Sequence, residues 1–415
     1  MSIRIRRDRL IYWMLAVGTS GLSVVVVDVW GASYIQRRAE VSIASIARER
    51  SRVSETRRPL IIGKPLEQNA ANWYRLAFMR LTSLPPEGMR EIRLAAEHGF
   101  EMDPARLESV ARNYCGEAES ARADDARRSV YCDWGFGYRL TESGGFVFHS
   151  QALRLGYCTA INGHLAAARN DPRGAARAYV NAVALSADLA RGDLSMNLIG
   201  TGAAKVGLNG LSQLITSVDN NQEFLAEARD ALSRLDGNLP TTGSVLRFPK
   251  LWIETGLVDD ARSYVNEGTG VGRLLPRRAI AAWRLNHSES LVRLLDIVTE
   301  LSPSERGRVV QTINHDIARS GMAFISDELP AGWDQLLQEG DQVRRLYRAT
   351  SVALTLESWY VSRGEYPIEF SISDSPTDND ATRYEPLNQR KGYQLSIQSK
   401  GGEQAVTLKR HARHD

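Results

Sequence analysis

The spacing of apolar positions changes character along the chain. From Leu10 to Ile35 they are nearly continuous, and Asp28 is the only charge. From Ala70 to about residue 362 they recur at intervals of three and four, the spacing that gathers one stripe on an α-helix. Near the C-terminus Tyr393, Leu395 and Ile397 alternate with Gln394, Ser396 and Gln398, the period of a half-buried strand. The pattern predicts a mainly α protein with an N-terminal transmembrane helix, a body of helical hairpins and a small C-terminal α+β tail. The expected divisions are 1–35 as cytoplasmic tip and anchor, 36–69 as stalk, 70–340 as helical domain, and 341–415 as long helix, small antiparallel sheet and basic tail.

The apolar stretch 10–35 is long enough for a hydrocarbon core about 30 Å thick, which needs about 20 helical residues. Arg4, Arg6, Arg7 and Arg9 precede it, while Arg37 and Arg38 follow. This modest excess predicts a cytoplasmic N-terminus and an exported domain, as in a single-pass protein of a bacterial inner membrane. Tyr12, Trp13, Trp30 and Tyr34 lie near the two ends, where aromatic rings suit the interface. A cleaved signal peptide is the competing reading. The stretch is longer than a usual signal core, and Trp30 crowds the small-residue site at Gly31–Ser33.

Within the body, helix boundaries are marked by proline, glycine and capping residues. A helix from Ala70 stops at Pro85-Pro86, a second runs from Glu87 to His98 with Gly99 at its end, and a third begins at Asp103-Pro104. Residues 116–148 read as a loop or lid, polar at first and then wedged by Trp134, Phe136 and Phe146. Four helices follow, at about Ser150–Arg169, Pro172–Arg191, Leu194–Val218 and Gln222–Leu235. The third is rich in glycine and alanine, which lets helix axes approach closely. Residues 240–340 continue as helix with loops. A last long helix covers 341–362, and Gly401-Gly402 suits a hairpin between the strand at 393–397 and one containing Val406 and Leu408.

Gly163, Ala175, Tyr179 and Ala182 fall at the offsets of the tetratricopeptide pattern, and residues 170–189 resemble its turn and second helix. The early positions of that pattern are Thr159, Asn162 and Ala166 here, so one partial copy is present rather than an array. At the other end, Leu356, Tyr360, Gly364, Tyr366, Pro367, Tyr384 and Tyr393 resemble the C-terminal part of type II secretion pseudopilins, in which a helix ending in a Gly-x-Tyr-Pro corner packs on a small antiparallel sheet. The combination is similar to a group of exported bacterial proteins of unknown function. The pilin processing signal is missing before Leu10. The family's calcium-binding tail is not evident either, and Asp374, Asp378 and Asp380 read as a solvated acidic loop.

Composition adds exclusions. Lys and Arg total 52 against 49 acidic residues, a net charge of +3, so no broad field favours nucleic acid. Lysine occurs only at 64, 205, 250, 391, 400 and 409, and the other basic residues are arginine. The cysteines are Cys115, Cys132 and Cys158, with neither the number nor the spacing of a disulfide scaffold or zinc ribbon. In an oxidising compartment Cys115 and Cys132 are a candidate disulfide pair, which would leave Cys158 as a small buried hydrophobe. No metalloprotease, nucleophile-elbow, phosphate-loop or dinucleotide motif is present. No two of the histidines have metal-ligand spacing on one helix face, and Asp124-Asp125 and Asp259-Asp260 are sequence neighbours rather than face partners. No catalytic residue, cofactor or metal is assigned.

The sequence therefore suggests a membrane-anchored, non-catalytic helical interaction module of the bacterial envelope, held by residues 10–35 and taking a protein or peptide in a groove of the 150–236 helices. The alternatives are an envelope hydrolase whose site assembles only in three dimensions, and an accessory factor of a secretion or pilus-like system.

Overall fold

The computed structural model describes residues 66–134, 148–192, 194–217, 221–240, 333–370, 380–399 and 405–411, with scattered positions within 26–44 and 298–315. The described part is mainly helical, with a small sheet near the C-terminus. The expected span 10–35 lies almost wholly outside the described residues, as do most of 240–332 and the Gly401-Gly402 turn. Among the described residues no helix is long and apolar enough to cross a membrane.

The first unit is β1 (Leu66–Asn69), α1 (Ala70–Arg80), α2 (Pro86–His98), α3 (Pro104–Tyr114), α4 (Glu117–Arg128) and β2 (Ser129–Tyr131). β1 and β2 pair in parallel. Asn69 fixes the start of α1, since its Oδ1 accepts from the Ala71 amide at 3.1 Å. The same oxygen accepts from the Asp133 amide at 2.9 Å, and Nδ2 donates to the Asp133 carbonyl at 2.6 Å. Helix α4 corrects the expectation of a loop over 116–148. Its buried apolar side chains among those described are Ala123 and Ala126, too small to print an apolar stripe on the sequence. Helix-favouring residues and the i, i+3 pairs Arg127–Asp124 and Arg128–Asp125 support it instead.

The central layer is α5 (His149–Ala168), α6 (Pro172–Leu189), α7 (Leu194–Ser217) and α8 (Gln222–Ser233). The turn between α5 and α6 places Asn170 at φ 57. Asp171 then caps α6 by accepting from the Gly174 amide at 2.8 Å, with Pro172 at the first helical position. Asn221 caps α8 in the same way, accepting from Phe224 N at 2.8 Å. Helices α6 and α7 meet nearly backbone to backbone. A Cβ on Gly207 would stand 2.7 Å from the Tyr179 carbonyl oxygen, and one on Gly200 3.0 Å from the Ser186 carbonyl oxygen.

The last helix, α9, runs Trp333–Arg363 and so begins before the expected residue 341. It packs against α7 and α8 and carries the sheet β3 (Asp380–Leu387), β4 (Gly392–Ser399) and β5 (Val406–Arg410), an antiparallel meander in that order. The register sets Leu395 opposite Leu408 and Ile397 opposite Val406. One continuous core runs from α2 and α3 through α5–α8 to α9 and the sheet, and a second gathers α1, α4 and the Trp134 region.

Candidate functional site

The expected helix-packing residues come together. Gly163 on α5 and Gly210 on α7 flank the ring of Tyr179, and a Cβ on either would come within 2.5 Å of it. Ala175 and Ala182 are fully buried on the same helix as Tyr179, and Ala182 lies beside Gly207 of α7. The Tyr179 hydroxyl donates to His164 Nδ1 at 2.8 Å, and His164 Nε2 donates to the Ala96 carbonyl at 3.0 Å. The carbonyl can only accept, so the proton is on Nε2. Burial pushes the His164 pKa below its ordinary value, against the opposing effect of the Ala96 bond, and pushes the Tyr179 hydroxyl well up. Phe100 closes the group, its ring edge-on to His164 at 5.0 Å. Tyr179 and His164 are 0% and 3% exposed; the relay ties α2, α5 and α6 together and presents no reacting atom to solvent.

The cysteines pair differently from the expectation. Cys115 bonds Cys158, with Cα atoms 5.5 Å apart, and Cys132 is buried in the second core with Trp134 and Tyr74. Cys115 ends α3, which lies along α5. Arg154, one turn before Cys158, donates to the Tyr114 carbonyl at 2.7 Å and to the Thr82 carbonyl at 2.8 Å. That buried guanidinium holds the end of α3 over the middle of α5, a juxtaposition that sequence spacing does not report.

Trp134 is the described part of the expected aromatic lid. Its ring stacks with Tyr74 at 6.0 Å, and its Nε1 donates to the Asp188 carbonyl at 2.8 Å. The Tyr74 hydroxyl donates to Asp188 Oδ2 at 2.9 Å. Trp134 is thus a core residue, while Phe136 and Phe146 lie outside the described residues. At the C-terminal corner, Gly364 takes φ +76 and its amide donates to the Tyr360 carbonyl at 2.7 Å, an αL helix stop that suits glycine. Tyr366 then turns inward between Tyr360 and Tyr393, with ring centroids 4.6 and 5.0 Å away. Its hydroxyl donates to buried Glu357 at 2.8 Å. Pro367 follows, and its carbonyl accepts from the Tyr384 hydroxyl at 2.8 Å. Of the acidic loop, Asp374 and Asp378 lie outside the described residues.

A concavity that opens to solvent lies between α6 and α8. It is a cleft of about 280 Å³ lined by Arg173, Ala176, Arg177 and Val180 from one helix and by Phe224, Glu227, Ala228, Asp230, Ala231 and Arg234 from the other side. Ala176, Val180, Phe224 and Ala228 form an apolar floor and are themselves buried. The rim is charged. Arg173 pairs with Glu223 at 2.5 Å and Glu227 at 3.7 Å, and Arg234 pairs with Asp230. Arg177, exposed on the rim one turn beyond Arg173, has no hydrogen-bond or ion-pair partner among the described residues. These residues were not singled out by motif. The available signal was the i, i+4 pair Arg173/Arg177 beside Ala176 and Val180, which sets a basic edge next to an apolar stripe.

Among the described residues no group of three or more His, Cys, Asp and Glu side chains is arranged to hold a metal ion. No family model matches this chain, and no curated protein or solved structure matches it either.

Proposed function

We propose that the protein is a membrane-tethered helical interaction module, with residues 10–35 as the tether and the α6/α8 cleft as the seat for a short segment of another protein. The observation that carries this reading is the cleft: an apolar floor with charged rims on α6 and α8, where α6 is held by the Tyr179 packing. Its volume of about 280 Å³ is at or below the small end of pockets that enclose a whole small molecule, which run from about 300 to 1,000 Å³. One or two side chains of a partner fit that space better than an enclosed substrate. The arginine-rich, glycine-locked layer is a rigid platform, and rigid platforms lower the ordering cost of binding. The bacterial inner membrane with the domain outside the cytoplasm is the proposed location, and the Cys115–Cys158 bond supports it, since such bonds persist in oxidising compartments.

Site-specific photocrosslinking tests the reading. A photoreactive side chain at Ala231, on the cleft, is compared with one at Met79, an exposed position on α1, in membranes of intact cells. A discrete adduct from position 231 that is missing from position 79 is expected. Equal adducts from both positions, or none from 231, refute the assignment of the cleft. Recovery of the full-length chain in the soluble fraction refutes the tether.

A further inference from the structure

Resting on the cleft reading, we infer that the segment it takes is acidic: a side-chain carboxylate of the partner meets Arg177, within about a turn of an aliphatic side chain seated on the floor. The floor offers little discrimination by itself, because Phe224, Val180 and Ala228 are already 3%, 2% and 4% exposed and a ligand removes little further apolar area from water. Selectivity therefore falls to the rim. There, Arg173 and Arg234 are held by acidic neighbours of α8, and Arg177 is the lining guanidinium with no partner among the described residues. A carboxylate completes the alternation of charge around the cleft, whereas a basic side chain sets like charges together. Guanidinium also receives carboxylate in a two-pronged geometry that favours it over a neutral amide.

The probe is a random dodecapeptide library displayed on phage, selected at low ionic strength on the purified full-length chain, on Arg177→Glu and on Ala231→Trp, which fills the cleft from a half-buried position. Circular dichroism checks that each variant is folded. The wild-type selection is expected to enrich Asp or Glu over Asn, Gln, Lys and Arg. Ala231→Trp should abolish that enrichment, and Arg177→Glu should turn it toward Lys or Arg. In titrations of a selected peptide, Glu→Gln should weaken binding about two- to fivefold, the scale of an exposed ion pair, with no such loss on Arg177→Glu. Peptides that Ala231→Trp blocks but that carry no acidic preference overturn this inference and leave the cleft as a binding site. A selection insensitive to Ala231→Trp overturns both. Binding of inorganic phosphate as tight as that of the selected peptide would assign Arg177 to a free anion and also overturn it.

Discussion

Gly163→Ala and Gly202→Ala are the same chemical change on packed helices, and the structure predicts opposite signs for them. A methyl group on Gly163 would stand 2.5 to 2.8 Å from three atoms of the Tyr179 ring, against an ordinary carbon contact of about 3.5–4.0 Å. The ring would have to retreat by roughly 1 Å. It cannot do so freely: on its other side a Cβ at Gly210 would be only 2.3 Å away, and its hydroxyl is held by His164. Overpacking of this kind costs about 1–3 kcal/mol or more, and the gain in helix propensity from glycine to alanine returns about 1 kcal/mol. The net is a loss of up to about 2 kcal/mol or more. A methyl on Gly202 meets the tip of half-buried Leu153 at 3.3 Å and nothing else within 4 Å. That tip can rotate, so the propensity gain of up to about 1 kcal/mol survives. Urea unfolding of the full-length chain followed by far-ultraviolet circular dichroism should move the midpoint down for the first variant and up for the second, with unchanged slopes. If both midpoints move the same way, the sandwich of Tyr179 between the two glycines is not the constraint described.

Further outcomes follow from other contacts. Cys115→Ser or Cys158→Ser should cost about 4 kcal/mol, the loop-entropy value for a separation of 43 residues; Cys132→Ala should cost far less, and peptide mapping without reductant should recover the 115–158 link only. His164, whose pKa is lowered by burial, binds its proton more readily in the unfolded chain. Its contribution is therefore complete above about pH 6.5 and is lost as pH falls below that value, by up to about 1.4 kcal/mol per unit. His164→Gln should remove that part of the pH dependence measured by urea midpoints. Glu357→Ala removes from the core the acceptor of the Tyr366 hydroxyl and the carboxylate that lies 3.9 Å from Arg410 Nε, and should cost about 3–5 kcal/mol in the same assay.

The helices from 149 to 233 were readable to within two residues at either end because their limits are chemical: Asp171-Pro172 and Asn221 cap backbone amides wherever they occur. The alternation at 393–397 was equally plain, because one face of β4 lies on α9. Strand β3 was not legible. It is an edge strand whose residues Asp380, Arg383, Glu385 and Pro386 carry charge or lack an amide, features that protect an edge and also disguise it. Strand β1 and helix α4 were missed for a related reason, since their partners are far along the chain, β1 buries no side chain and the buried apolar side chains described on α4 are alanines. The cleft eluded motif reading because its two walls are separated by α7, so Arg177 and Ala231 become neighbours only after α6 and α8 pack. The disulfide depended likewise on Arg154 drawing the end of α3 to α5.

Asn69 is where β1 meets the body, since one amide there caps α1 and clasps the backbone of Asp133. Tension applied through β1 would load this buckle as the strand is pulled. Replacing it by alanine should let residues 66–69 peel away under force or protease while the hairpins behind them stay shut.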